Sequence, residues 1–378
     1  MRALLHVLAL TTVTRRSAVL RAAAGAAPLF YRAAPVPAAP PAAAPAAVRV
    51  PTFALGSLTA SRLIQGHWQL AGGHGRYTVE GALVNMRAHY DAGLTTLDTA
   101  DIYGPSELIV GEFVKREPRA VPCTKFCCFR GLQSIDKAEV RARVVAQCER
   151  LNVPSLPLVQ FFWADYGVQR YVQVAQMLGA LKDEGLIQNI GLTNFDLPRV
   201  RQIVEAGVPI VSQQVQLSAL DSRPLQSGMA EYCAQQRISL LAFGTVGAGL
   251  LSDRFVGAPP PGAEAVRAGG SSLSMYSATA SRFGPWSLVQ ELLHTMADVA
   301  RAHPGASVAN VAQRYALQCS PAVGALIVGV RNSEHVAENA RTFSFALSDG
   351  EMDAIRAVVA KRQGPRGDVW DLERGVPV

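Results

Sequence analysis

The run Thr96-Leu97-Asp98-Thr99-Ala100-Asp101-Ile102-Tyr103-Gly104-Pro105-Ser106 sets the reading of the whole chain. Apolar residues lead into it as in a short strand, Asp98 falls where that strand should end, and Tyr103 follows five residues later. Gly104-Pro105 closes the loop, and a helical pattern begins at Ser106. A carboxylate and a phenol at the C-terminal mouth of a strand suit proton transfer. A phenol is a poor acid at neutral pH unless a cation lowers its pKa, and an ammonium held by a carboxylate would do that. Lys125, at the end of the next apolar run (Val121–Phe126), is the candidate for that cation.

Working outward, strand and helix patterns alternate. Upstream, Pro51–Ser61 reads as a hairpin turning at Gly56-Ser57, followed by a strand over Arg62–Leu70 and a helix over Thr78–Ala92. That helix carries Val79, Leu83, Met86 and Tyr90 at three- and four-residue spacings. Downstream the predicted strands are Val121–Phe126, Leu158–Trp163, Ile187–Leu192, Ile210–Gln216, Ile238–Gly244 and Ala325–Val330. The predicted helices are Ser106–Lys115, Asp136–Leu151, Val172–Glu184, Leu197–Ala206, Gln226–Gln236, Trp286–His303, Ser307–Cys319, Ser333–Arg341 and Ser348–Ala360. Residues 246–285, rich in Gly, Pro, Ser and Ala, read as a long irregular insertion after the seventh strand.

Short apolar strands without alternation suit a parallel sheet covered on both faces. Eight such units point to a single-domain α/β fold, the (β/α)8 TIM barrel, which can use about 250 residues or more. A doubly wound open sheet is the main rival. The barrel predicts that chemistry gathers at the C-terminal ends of the strands, where neighbouring strands would bring Asp98, Tyr103 and Lys125 to one mouth.

The chain of 378 residues is 49% hydrophobic and 17% charged, a globular composition. Its net charge of +7 comes almost wholly from residues 1–50, which hold six arginines and no acid. The remainder carries 30 basic against 29 acidic residues, so nothing in the body argues for nucleic acid or a membrane surface as partner. Residues 1–50 read as an organelle-targeting presequence, plastid or alternatively mitochondrial; a signal-peptide core over Ala3–Val13 and a low-complexity tail are the other readings. Residues 51–362 are the barrel and residues 363–378 a C-terminal tail. The six cysteines form no disulfide framework and no paired metal motif, and reduced, mostly buried thiols are the expectation.

Asp98-Thr-Ala-Asp-Ile-Tyr103-Gly resembles the signature of the aldo-keto reductase superfamily. Further motifs follow in that family's order: Thr124-Lys125; Ile190-Gly-Leu-Thr193-Asn194-Phe; Gln214 in Val-Ser-Gln-Gln-Val; Phe243-Gly244 leading to Gly249; and Val328-Gly-Val-Arg331 with His335, Glu338 and Asn339. The resemblance spans roughly residues 52–360. It implies a barrel binding NADP(H), with a small-molecule carbonyl substrate and no metal. It implies Tyr103 as general acid, tuned by Asp98 and Lys125. Thr193, Asn194 and Gln214 would bind the carboxamide, Phe243 would stack on the nicotinamide with Gly244 beside it, and Arg331, His335 and Asn339 would hold the adenosine end. Trp68, Phe162 and Trp163 would wall the substrate pocket. The protein is expected to be a monomer or weak homo-oligomer.

One position departs from the pattern. The fourth-strand histidine of the plant and algal branch is here Phe162, in Gln160-Phe161-Phe162-Trp163. A phenyl ring cannot polarise a carbonyl, and losing one such donor costs roughly 10²–10³ in rate. Two functions follow: an NADPH-dependent reductase of aldehydes or ketones, or a nucleotide-binding barrel with little turnover that serves as a redox-sensing or interaction module.

Overall fold

A computed structural model of the protein describes residues 48–375. The targeting segment read over residues 1–50 lies outside these residues except for its last three. The strands, in chain order, are β1 (Thr52–Leu55), β2 (Leu58–Ser61), β3 (Leu63–Gly66), β4 (Thr96–Asp98), β5 (Val121–Cys128), β6 (Leu156–Trp163), β7 (Ile187–Thr193), β8 (Ile210–Gln216), β9 (Ser239–Phe243) and β10 (Val323–Gly329). The helices are α1 (Val79–Asp91), α2 (Ser106–Arg116), α3 (Lys137–Leu151), α4 (Tyr171–Asp183), α5 (Leu197–Glu205), α6 (Arg223–Gln226), α7 (Met229–Gln236), α8 (Ala263–Ala268), α9 (Gly270–Phe283), α10 (Trp286–Ala302), α11 (Val308–Gln318), α12 (Val336–Arg341), α13 (Asp349–Val359) and α14 (Asp371–Arg374).

Strands β3 to β10 close into a parallel barrel in sequence order, with β10 beside β3. This is the expected (β/α)8 architecture. Strand β6 is buried at every position, which explains its unbroken apolar run apart from Gln160. Arg62 stitches the closing seam: its Nε donates to Gly324 O (2.9 Å) and its Nη2 to Val323 O (3.1 Å).

The hairpin β1–β2 forms with Leu55 opposite Leu58, as its turn residues suggest. It lies at the N-terminal end of the barrel, where Leu55 and Ala60 pack with Ile64, Cys123, Leu158, Leu241 and Ala325. Gly56 has φ +58°, and a Cβ there would sit 2.1 Å from Asn189 Oδ1. The same Asn189 oxygen accepts from Ser57 N at 3.0 Å, so this turn is built for glycine. Around the barrel, helix starts use the side chains that sequence pattern suggests. Asp136 accepts from Glu139 N, and Ser307 and Ser348 form capping boxes with Asn310 and Glu351.

Three segments differ from the reading of the sequence. The first barrel strand stops at Gly66, and Trp68–Ala71 is a 3-10 turn. Residues 246–285 are not irregular: they contain α8 and α9. Helix α9 forms despite its Ser-rich composition because Tyr276, Thr279, Ala280 and Phe283 bury one helical face, with the apolar members packed in a cluster with Leu250 and Leu251. Its start is tied across to the β3–α1 loop by Ser271 N to Gly73 O (3.1 Å) and by His74 Nε2 with Ser272 Oγ (2.8 Å). Finally, the C-terminal tail folds back onto the barrel. Val369 is buried in the main core, Asp368 Oδ2 accepts from Leu197 N (2.8 Å), and Glu373 meets the buried Arg223. Among the described residues no helix is long and apolar enough to cross a membrane.

Candidate active site

Strand β4 is three residues long and ends at Asp98, so its carboxylate stands at the barrel mouth. Its Oδ2 accepts from Lys125 Nζ at 2.5 Å, and Lys125 also donates to Thr99 O at 2.9 Å. Its Oδ1 accepts from Gln160 Nε2 (2.7 Å) and Gln214 Nε2 (2.8 Å), and Gln214 Nε2 also reaches Gln160 Oε1 (2.7 Å). All four side chains are buried. The carboxylate therefore has charge-assisted partners on both oxygens, the condition for keeping an ion pair inside a barrel. Gln214, expected at a carboxamide, spends its amide N–H on this network. Gln160 was not singled out from sequence. Its signal is a polar residue in an otherwise apolar strand.

Tyr103 lies half-buried beside this pair, with Lys125 Nζ 5.0 Å from the centre of its ring. Burial is the largest influence on the phenol and raises its pKa to about 12, while Lys125 pulls it the other way. The expected depression by Lys125 is thus present but outweighed. Burial also works against the Lys125 charge. Asp98 and then Tyr103 more than offset it, and the ammonium holds its proton above the ordinary lysine value. Cys123 and Cys127, close to Lys125 in sequence, are neutral thiols whose pKa burial pushes up. The described residues contain no group of three or more metal-ligating side chains.

Phe162 lies on β6, two residues beyond Gln160 and opposite Cys127. Its ring is 5.1 Å from that of Phe129, which is half exposed at 51%. Trp163 does not line this wall. It is fully buried in the layer between barrel and helices, and its Nε1 donates to Asp165 O and Val168 O. Successive strand residues face opposite ways, so a residue adjacent to Phe162 has to turn outward. Trp68 is half-buried in the 3-10 turn, edge-on to His74 at 4.7 Å. His67 is 1% exposed with no partner for its Nε2, and burial followed by His89 and Lys125 lowers its pKa to about 3. It is a neutral interior group.

Farther round the mouth, Thr193 ends β7 in register with Gln214. Asn194 follows with φ +58° and a buried Oδ1 that has no partner. Phe243 ends β9 half-buried, with the edge of Trp370 at 6.0 Å. Gly244 has φ +73°, and a Cβ there would lie 2.5 Å from Tyr276 Cε1. Beyond β10, two of the three expected adenosine-end residues have side-chain partners of their own. Arg331 lies against Gly75, His335 Nδ1 pairs with Glu338 Oε2 at 2.7 Å, and Asn339 Oδ1 accepts from Gln313 Nε2 at 3.0 Å.

A carboxylate–lysine pair under a tyrosine at the mouth of a closed parallel barrel defines an α/β barrel equipped for proton transfer. Residues 62–360 match the Aldo/keto reductase family, and the chain belongs to that family of carbonyl oxidoreductases. It is 23% identical over 307 residues to the chloroplastic pyridoxal reductase of Arabidopsis thaliana, covering 74% of this chain and 76% of that one. It is 28% identical over 207 residues to the aldo-keto reductase YhdN of Bacillus subtilis (strain 168), covering 52% of this chain and 62% of that one. Among solved structures, the glycerol dehydrogenase of Gluconobacter oxydans superposes with a TM-score of 0.69 at 23% identity, over 85% of this chain and 97% of that one.

The family generally uses a nicotinamide coenzyme, and the residues at the mouth fit one. Asn194 Oδ1 is a buried acceptor in want of an N–H donor, which a carboxamide supplies. Phe243 offers an aromatic plane one strand beyond β8.

Proposed function

We propose that the protein reduces aldehydes or ketones with NADPH, Tyr103 acting as general acid. The observation that carries this is the buried Asp98–Lys125 pair with Tyr103 5.0 Å from the ammonium. The coenzyme that the residues at the mouth would hold is a reduced nicotinamide, which would supply the hydride. Tyr103 gives its proton to the carbonyl oxygen, and Lys125 beside it steadies the phenolate that remains. Asp98 keeps Lys125 charged, and Gln160 and Gln214 hold Asp98 in place. Thr193 and Asn194 would hold the carboxamide, Phe243 with Gly244 beside it would hold the nicotinamide ring, and Arg331, His335 and Asn339 would hold the adenosine end. A guanidinium there favours a 2′-phosphate, hence NADP(H) over NAD(H). The test is NADPH consumption with a panel of aldehydes: Tyr103→Phe should lose at least 10²-fold in kcat with coenzyme affinity kept. Unchanged turnover in that variant removes Tyr103 from the acid role.

Phe162 favours a second reading, a coenzyme-binding barrel with little turnover. NADPH binding by the native chain without consumption on any aldehyde would select it. We further propose a plastid location, with the mitochondrion as alternative, on the strength of the arginine-rich, acid-free residues 1–50. Fusion of those residues to a fluorescent protein tests it, and a cytosolic signal refutes it.

A further inference from the structure

The C-terminal segment brings an arginine to the barrel mouth. Arg374 Nη1 donates to Asn194 O at 2.7 Å, and its Nη2 donates to Trp163 O at 2.9 Å. These carbonyls end or follow β7 and β6, so one planar guanidinium bridges two neighbouring strand ends. The same group lies over the Tyr166 ring at 4.3 Å and over the Phe162 ring at 5.2 Å. Its backbone is anchored one residue earlier. Glu373 takes two hydrogen bonds from Arg223 (2.9 and 3.0 Å), a residue 2% exposed that is also held by Asp221.

Asn194 is what this clamp acts on. It adopts the left-handed conformation, which costs energy for any residue with a Cβ and is best tolerated by asparagine. Its N–H is held by Gln214 O (2.9 Å) and its C=O by Arg374. Both peptide groups of Asn194 are thus held, and its side chain springs from a fixed backbone with Oδ1 buried and unpartnered.

We propose that Arg374 is a positioning residue for the nicotinamide half of the coenzyme, acting through Asn194. This rests on the coenzyme reading given above. Without the guanidinium, the Asn194 carbonyl loses its charged donor and the left-handed turn loses half its support. The carboxamide then meets an acceptor that is no longer pre-set. The adenosine end, served by the loop after β10, is untouched.

The test uses the full chain and two probes, NADPH and adenosine 2′,5′-bisphosphate, with dissociation constants read by protein fluorescence. Arg374→Ala should weaken NADPH roughly tenfold, the scale of a lost charged hydrogen bond, and leave the bisphosphate within about twofold. Arg374→Lys, which keeps the charge without the fork, should fall between. Guanidinium ion added to Arg374→Ala should recover part of the NADPH affinity, which a merely structural role would not allow. Unchanged NADPH binding in Arg374→Ala overturns the proposal, as does equal loss of both ligands. If Arg374→Ala does not fold, Arg374→Lys decides by the same two readings. A native chain that binds neither ligand marks failure of the coenzyme reading itself, and the proposal falls with it.

Discussion

The Asp98 carboxylate and the Lys125 ammonium meet at 2.5 Å with each side chain only 6% exposed. Removing one member of such a pair leaves the other charge in the barrel without its partner, which costs roughly 3–5 kcal/mol. Asp98→Asn should therefore lower unfolding stability in urea by about that amount. The double variant Asp98→Asn with Lys125→Met should recover part of the loss. A single-variant loss below about 1 kcal/mol would contradict the burial described for this pair.

Phe162→His introduces a hydrogen-bond donor on β6 two residues beyond Gln160. Turnover of an aldehyde should rise by up to roughly 10²-fold if the carbonyl oxygen lies against this residue. The Arg374 guanidinium, 5.2 Å from the ring, opposes a second positive charge, so the new imidazole should stay neutral. The gain should then hold steady from pH 7 to pH 8.5 in a profile of kcat/KM. An unchanged rate would separate residue 162 from the substrate.

His67 and Tyr103 bracket the pH range of stability from opposite sides. The His67 pKa lies at about 3 in the folded protein, lowered first by burial and then by His89 and Lys125, against 6.5 in an unfolded chain. Between those values the unfolded chain binds a proton that the folded one refuses. Its contribution is therefore complete above pH 6.5 and is lost as pH falls toward 3. His67→Gln should flatten the acid limb of stability against pH, measured by urea unfolding at each pH.

Tyr103 runs the other way. Its pKa is raised from 10 to about 12, chiefly by burial, so its contribution is complete below pH 10 and is lost as pH rises through 12. Tyr103→Phe should flatten the alkaline limb. An identical slope in the variant would place the titrating group elsewhere.

Deleting residues 366–378 should destabilise the barrel as well as open its mouth. Val369 leaves the core, and Arg223, 2% exposed, keeps Asp221 but loses Glu373. Adding one buried side chain to one weakened ion pair gives a loss of roughly 2–4 kcal/mol. Thermal unfolding of the truncated chain reads it directly, and an unchanged midpoint would mean the tail is not docked.

The barrel was legible because several strands carry short apolar runs and many helices are punctuated by a cap or a glycine, features that are local. Asp98 and Lys125 were legible because strand ends gather at one mouth in any parallel barrel. The segment 246–285 was misread because Ser and Gly depress helix propensity, and only the spacing of Tyr276, Ala280 and Phe283 carried the helical signal. Trp163, expected at the pocket wall, is instead fully buried, because alternation along a strand turns the neighbour of Phe162 to the opposite face. The role of the tail was out of reach altogether. Arg374 meets Asn194 and Trp163 across 180 and 211 residues, and no local pattern encodes such a partner.

The seam between β3 and β10 joins Leu63 to Leu326. During synthesis the strand bearing Leu63 emerges first, and its partner follows only when most of the chain has been made. Until then β3 offers an unpaired edge, and Arg62 has no carbonyls to bind. Pairing of such sequence-distant strands is slow, and exposed edges invite association with other chains. The newborn chain therefore carries this open edge until its last strand arrives. Changes in β10 should reduce yield in cells more than they reduce the equilibrium stability of molecules that have already folded.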